Sequence, residues 1–340
     1  MRTTKPMTTT TAALAACLLL SLLLLPGCRR IPLYDPLAGI YLKPIIHLNT
    51  NINLNEDIDI EGDPELHDKV YGKMPELVRA CFYDVDTHEL VHEDILSAEG
   101  GFIDIAAGVY DLIVYSLGTE ATRVADTDIR AAGYAYTSRA TKNLRLTKAN
   151  ADGTQTSTDQ PAIYEPDHIF VGRKEALQVP VRAEQDKTLV IEVDLTSLVE
   201  SWSFEVLYVE GAGNIREADV YITGQAPSKY LWDRRFPNQP AAIWFPVEAN
   251  VQKGHIYTVF NTFGKFPNAQ NDVYLNVIVT DATGSRYRWI FDVTDQFDNP
   301  DNDHNEIIID EPIVVPEDGS GEGLSHRVTE WQEELIEIFI

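Results

Sequence analysis

Thr188–Leu195 (TLVIEVDL) decides the fold class. Leu189, Ile191, Val193 and Leu195 fall on one side of an extended chain, with Glu192 and Asp194 on the other, which is the period of a half-buried strand. Trp202–Val209 (WSFEVLYV) and Glu217–Thr223 (EADVYIT) repeat the pattern downstream. Further strands are expected at Ala242–Val247, Ile256–Thr262, Val273–Thr280, Tyr287–Val293 and Ile307–Asp310, with Asp281–Gly284 (DATG) as a hairpin turn. The 3.6-residue period of an amphipathic helix is nearly absent from this half.

The same reading extends toward the N-terminus. Leu77–Tyr83 (LVRACFY) is a strand, residues 84–87 (DVDT) a turn, and Glu89–Leu96 a return strand. Phe102–Ile105 leads to an Ala-Ala-Gly turn at 106–108, and Val109–Tyr115 (VYDLIVY) is strongly strand-like. A first strand is expected at Ile40–Leu48, where Pro44 removes a ladder donor and favours a sheet edge. Residues 49–66 and 149–160 are polar and read as loops. Glu165–Pro180, with its Pro-Asp and Val-Gly-Arg turns, reads as the linker between two halves. The chain of 340 residues exceeds what one small core organises. The expectation is an all-β protein with two sandwich domains, 40–180 and 181–315.

Residues 1–27 carry Arg2 and Lys5, then an apolar run at Ala12–Leu25. At about 14 residues the run is short for a ~30 Å hydrocarbon core and has the layout of a signal peptide. Leu25-Pro26-Gly27-Cys28 resembles the lipobox of bacterial lipoproteins, although Pro26 departs from the small residue usual there. The resemblance implies cleavage after Gly27, lipid on Cys28 and a tether at 28–39. Cys17 then leaves with the peptide, so Cys81 is a single thiol in an apolar, aromatic run and is expected to be buried and inert. Cleavage removes two basic residues and no acid, leaving 25 basic against 53 acidic residues and a net charge of −28. Such a surface repels nucleic-acid phosphates and excludes that class of partner.

The C-terminal end is distinct. Residues 316–323 (PEDGSGEG) form an acidic linker, and Val328–Ile340 (VTEWQEELIEIFI) is an apolar-rich segment. Val328, Trp331, Leu335, Ile336, Ile338 and Ile340 would form either a last strand of the chain's own sheet or a strand donated to another subunit.

Several segments, taken in order, resemble lipoproteins encoded with type V pili, the fimbrillin family of Bacteroidales. They are Arg29–Pro36 (RRIPLYDP), Phe82–Thr87 (FYDVDT), Gly108–Tyr115 (GVYDLIVY), Asp167–Arg173 (DHIFVGR), Gly224-Gln225, Phe291–Asp295 (FDVTD) and the closing VTEW run. Within that family the likeness is greatest to fimbrillin-like, anchor-type members. It implies two transthyretin-like β-sandwiches in tandem and no enzymatic activity. It also implies attachment to the outer membrane at the cell surface, and fimbrial subunits as partners joined by β-strand donation.

Other chemistry is weakly signalled. His88–His92 (HELVH) matches the HExxH zinc-protease pattern. That chemistry needs a helix, which sets the imidazoles about 6 Å apart on one face. After the DVDT turn an extended chain sets them about 13 Å apart, so a hairpin without metal is expected. The acidic run Asp292–Asp310 lacks EF-hand spacing and reads as a solvated loop. No cofactor is expected. Tyr230, Trp232, Phe236 and Trp244, with Asp and Arg nearby, carry the alternative reading of a glycan-binding surface lipoprotein; as rings plugging a sandwich end they carry none.

Overall fold

The computed structural model describes residues 39–48, 52, 63–140, 146–149, 155–158, 160–180, 188–247, 249–250, 254–267, 272–299, 302 and 305–316. The first strands are β1 (Ile40–His47), β2 (Leu77–Asp84), β3 (Leu90–Ser97), β4 (Gly101–Ile103), β5 (Gly108–Ser116), β6 (Arg123–Ala125), β7 (Tyr134–Tyr136) and β8 (Leu146–Ala149). Next come β9 (Gln155–Thr158), β10 (Ala162–Tyr164), β11 (Phe170–Val179), β12 (Leu189–Ser197), β13 (Glu200–Val206), β14 (Val209–Glu210), β15 (Ile215–Gln225) and β16 (Ser228–Tyr230). The last are β17 (Ala241–Val247), β18 (Ala249–Asn250), β19 (His255–Thr262), β20 (Tyr274–Asp281), β21 (Arg286–Asp292), β22 (Glu306–Ile309) and β23 (Ile313–Val314). Two short helices, α1 (Pro64–Tyr71) and α2 (Thr294–Asp298), interrupt them. The protein is all-β, as the alternating runs predict.

Seven strands form one sheet in the order β3-β2-β5-β11-β12-β1-β4. Ile40 and Leu42 of β1, Phe82 of β2, Leu96 of β3, Ile103 of β4, Leu112 of β5, Phe170 of β11 and Val193 of β12 meet in a single buried core. Because every strand of the sheet contributes, the sheet folds over on itself. Its edges, β3 and β4, follow one another in the chain across a tight turn closed by Gly100 N–H to Ser97 O at 2.9 Å. The second core lies between a five-stranded sheet, β10-β17-β15-β20-β21, and a four-stranded sheet, β18-β19-β13-β22. Across this sandwich Phe245 of β17 and Phe260 of β19 stack with ring centroids 4.9 Å apart. Burying such a ring contributes about 1.5–3 kcal/mol.

Strand pairing crosses residue 180 in both directions. β12, from beyond it, runs parallel to β1 from Ile40↔Leu189 to His47↔Thr196 and sits inside the first sheet. β10, from before it, runs parallel to β17 and extends the second sandwich. A third core joins the outer face of the first sheet, through Cys81, Tyr83, Ile113, Tyr115 and Val171, to Leu198, Ala226, Leu231 and Phe263. Most of β2 and β5, and the start of β11 at Phe170–Gly172, are therefore buried on both faces, which is why those stretches run apolar instead of alternating.

Four local expectations are corrected. The segment read as a linker, Glu165–Pro180, contains β11, which lies between β5 and β12. Its charged run hid it: Arg173–Ala176 is solvent-exposed, and the register shifts between Lys174 and Leu177, with Ala176 at φ 48°. The polar stretch 149–160 includes β9, paired with β8. The acidic run 292–310, read as a loop, includes α2, while its end forms the strand expected at Ile307–Asp310, β22. β1 lies at an edge only beyond Leu42, since β4 pairs with it over Ile40–Leu42, and Pro44 falls in the part beyond.

The loop read at 49–66 gives way to α1 at Pro64. Asp63 caps that helix, its Oδ1 accepting from Glu65 N at 3.0 Å and Leu66 N at 3.1 Å. Pro64 occupies the first turn, where its missing N–H costs nothing, and Glu65 complements the helix dipole.

Candidate functional site

β3 pairs with β2 from Leu77↔Ser97 to Tyr83↔Leu90. On its other side, only its start is covered among the described residues, by Leu90 N–H to Asp128 O at 2.8 Å. Among the described residues, β3 is an open sheet edge from Val91 onward. Its outward side chains include Val91 and Ile95, 52% and 49% exposed, with Glu93 between them. An open edge of this kind presents unpaired N–H and C=O groups to which another strand can add, while alternate apolar side chains supply contacts. At the far edge, β4 exposes Phe102, which packs edge-on against Tyr41 with centroids 5.0 Å apart.

The HExxH residues lie at the foot of this edge. His88 ends the turn at φ 61°, and Leu90–His92 are already strand. Asp84 Oδ1 holds the turn by accepting from Asp86 N at 2.9 Å and Thr87 N at 2.8 Å. The motif is a hairpin and not a helix, so its imidazoles lack the one-turn spacing of a zinc protease. Among the described residues, no cluster of three or more His, Cys, Asp or Glu is placed to hold a metal ion.

A polar groove of about 820 Å³ runs beside α1, lined among others by Lys73, Met74, Leu117, Glu120, Asp167 and His168. Its floor is a buried hydrogen-bond network that joins α1 to both sandwiches. His168 Nδ1 meets Ser197 Oγ at 2.8 Å, and Nε2 faces Lys69 O at 3.1 Å and Ser201 Oγ at 2.9 Å. A carbonyl only accepts, so Nε2 carries the proton. Ser201 donates within reach of Val70 O and Asn261 Oδ1, and Asn261 Nδ2 donates to Lys69 O at 3.0 Å. Lys69 pairs with Glu165 at 2.8 Å. Burial lowers the His168 pKa to about 4, keeping the ring neutral. Asp167 Oδ2 accepts from Glu120 N at 2.7 Å and Ala121 N at 2.5 Å, fixing the opposite wall. The two serine hydroxyls that meet His168 are also placed against acceptors, Ser197 Oγ against Val199 O at 3.0 Å and Ser201 Oγ against Val70 O and Asn261 Oδ1, so the floor is a network of structural bonds.

The aromatic turn after β16 packs inward. Trp232 and Phe236 lie against the third core, and Arg130 stacks over Trp232 at 4.2 Å. Arg235 stacks over Tyr230 at 3.8 Å, and Lys229 lies 5.1 Å from the Phe236 ring. Trp244 on β17 donates to Asp219 Oδ1 at 3.0 Å, on the second sandwich. The four rings therefore form no shared platform. Cys81 is fully buried, and desolvation pushes its thiol up to about 11.

Gly27 and Cys28 lie outside the described residues, as do Val328, Trp331, Leu335, Ile336, Ile338 and Ile340. The open edge of β3 and the groove beside α1 are features that sequence reasoning missed. The first needs the strand order, and the second joins segments far apart in the chain.

The fold is shared with a candidate adhesin from Bacteroides ovatus ATCC 8483, whose crystal structure superposes with a TM-score of 0.56 at 19% identity. That likeness covers 83% of this chain and 95% of the other. The fimbrial anchor protein Mfa2 from Porphyromonas gingivalis is similar at a TM-score of 0.47 and 11% identity, over 80% of this chain and 88% of that one. The first of these likenesses defines the fold, an all-β one. The chain belongs to the family described as Domain of unknown function (DUF5119), which matches residues 67–246. It is also 26% identical over 188 residues to a protein of Bacteroides ovatus described as a candidate fimbrium anchoring subunit, Fim4B. The match covers 55% of this chain and 46% of that relative, so the chain spans about half the length of the curated relative it matches.

Proposed function

We propose that this protein is a non-enzymatic surface subunit in adhesion, anchoring or accompanying a type V pilus and joined to other fimbrial subunits by β-strand exchange. The observation that carries the reading is the open edge of β3, with Val91 and Ile95 exposed along it, in a chain related to a protein described as a fimbrium anchoring subunit. Lipid on Cys28 would hold the chain in the outer membrane, and residues 28–39 would tether the sandwiches to it. Val328–Ile340 would be the strand offered outward, with Val328, Trp331, Leu335, Ile336, Ile338 and Ile340 as its apolar contacts. Main-chain hydrogen bonds would supply affinity and the side chains register.

The test is a pull-down of the full-length protein from its native membrane, beside a deletion of residues 328–340. Recovery of fimbrial subunits with the intact chain and their loss with the deletion supports donation by that segment. Recovery with neither overturns the pilus reading. Ile95→Lys tests the accepting edge: if β3 receives a strand, the variant folds normally and recovers less of the partner.

A further inference from the structure

Arg173 and Arg234 line one pocket of about 290 Å³ on the outer face of the first sheet, together with Asp194, Thr196 and Leu231. Arg173 projects from β11 and donates to the Trp232 carbonyl. Arg234 follows in the same turn and donates to Thr196 Oγ1 on β12. Its backbone sits at φ 57°, a conformation that L residues rarely adopt, held by Arg234 N–H to Tyr230 O and Tyr230 N–H to Arg235 O, both 3.1 Å.

The arginines around this pair each have an acid. Arg79 pairs with Glu93, Arg130 with Asp111 and Arg235 with Asp233. Among the described residues, Arg173 and Arg234 have no carboxylate within ion-pair distance, although the whole chain carries 53 acids. Desolvation, and then the Arg173 charge, hold the Arg234 guanidinium below its ordinary pKa, as expected of two cations placed together.

We propose that this pocket binds a sugar bearing a carboxylate, a single uronic-acid residue. The pocket's own features set the ligand's chemistry. The two planar forks match a carboxylate. Two arginines and one aspartate give the lining a net charge of +1, which a monoanion neutralises and a phosphate dianion overshoots. Asp194 gives one oxygen to His47 Nε2 at 2.9 Å, and its other oxygen can accept sugar hydroxyls. Thr196 accepts from Arg234 and keeps its own proton to donate, while Leu231 offers apolar surface to a ring face. The volume is at the small end of ligand pockets, on the scale of one sugar residue and not a long chain. The net charge of −26 also disfavours an extended polyanion. This site is recognised by its charges and not by the aromatic rings of the same turn, and it stands independently of the strand-exchange reading.

The experiment is calorimetric titration of the full-length chain with galacturonate, galactose and glutarate, repeated with Arg234→Gln and Arg234→Lys. Saturable binding of galacturonate is expected, with galactose and glutarate about tenfold weaker or worse. Arg234→Gln should lose about tenfold. Arg234→Lys, which keeps the charge but loses the fork, should fall between, with the thermal midpoint unchanged in both variants. Absence of galacturonate binding overturns the proposal. So does galactose binding as tightly, since the carboxylate is then irrelevant. Equal binding of glutarate overturns the sugar and points to an acidic peptide, and unchanged affinity in both variants removes these residues from the site.

Discussion

His168 shows how one side chain ties three segments together: the end of α1, the end of β12 and the start of β13. Its ordinary pKa of 6.5 falls to about 4 in the fold, because burial disfavours the imidazolium. Between those values the unfolded chain binds a proton that the folded chain does not. Stability from this group is therefore fully present above pH 6.5 and is lost as pH falls toward 4, by at most about 3 kcal/mol. Denaturant unfolding of wild type and His168→Gln at pH 7 and pH 4.5 checks this. The variant should be less stable at pH 7 and should lose less on acidification; equal losses would assign the acid sensitivity to other groups. The buried Cys81 thiol was legible from its apolar run, whereas nothing local marks His168, whose partners come from distant segments.

At the scale of elements, hydrophobic period located most strands, and capping and turn chemistry located their ends. VYDLIVY announced β5, and Asp281–Gly284 formed the expected turn between β20 and β21, where Asp281 Oδ1 accepts from Thr283 N and Ser285 N, both at 2.8 Å. The Asp63-Pro64-Glu65 signal for α1 was present but short beside its polar surroundings. β11 escaped because its exposed Arg173–Ala176 run breaks the pattern, while its burial on the third core is a tertiary fact. Close approach gives the sharpest prediction here. Gly211 has φ +73°, and a Cβ there would meet Val315 O at 2.0 Å. Gly211→Ala should push the β23 segment from β14 and cost at least about 1 kcal/mol, read by chemical denaturation. An unchanged midpoint would mean that the β14–β23 pairing contributes little.

At the scale of the whole molecule, the two sandwiches share strands across the middle of the sequence. Cutting the chain between residues 180 and 181 would remove β12 from between β11 and β1, and would separate β10 from β17. The separate halves should therefore show no cooperative unfolding, whereas the halves coexpressed should recover it. Cooperative folding of either half alone, followed by circular dichroism, would show that the shared strands are dispensable.

Alternation along the backbone is a local property, so the sequence by itself determined the all-β class, most strand positions, the buried thiol and the non-helical setting of HELVH. Strand order, parallel pairing and the open edge of β3 are non-local, as is the meeting of Arg173 with Arg234. They depend on which faces find one another when apolar surface is buried, and that was decided only in the tertiary structure.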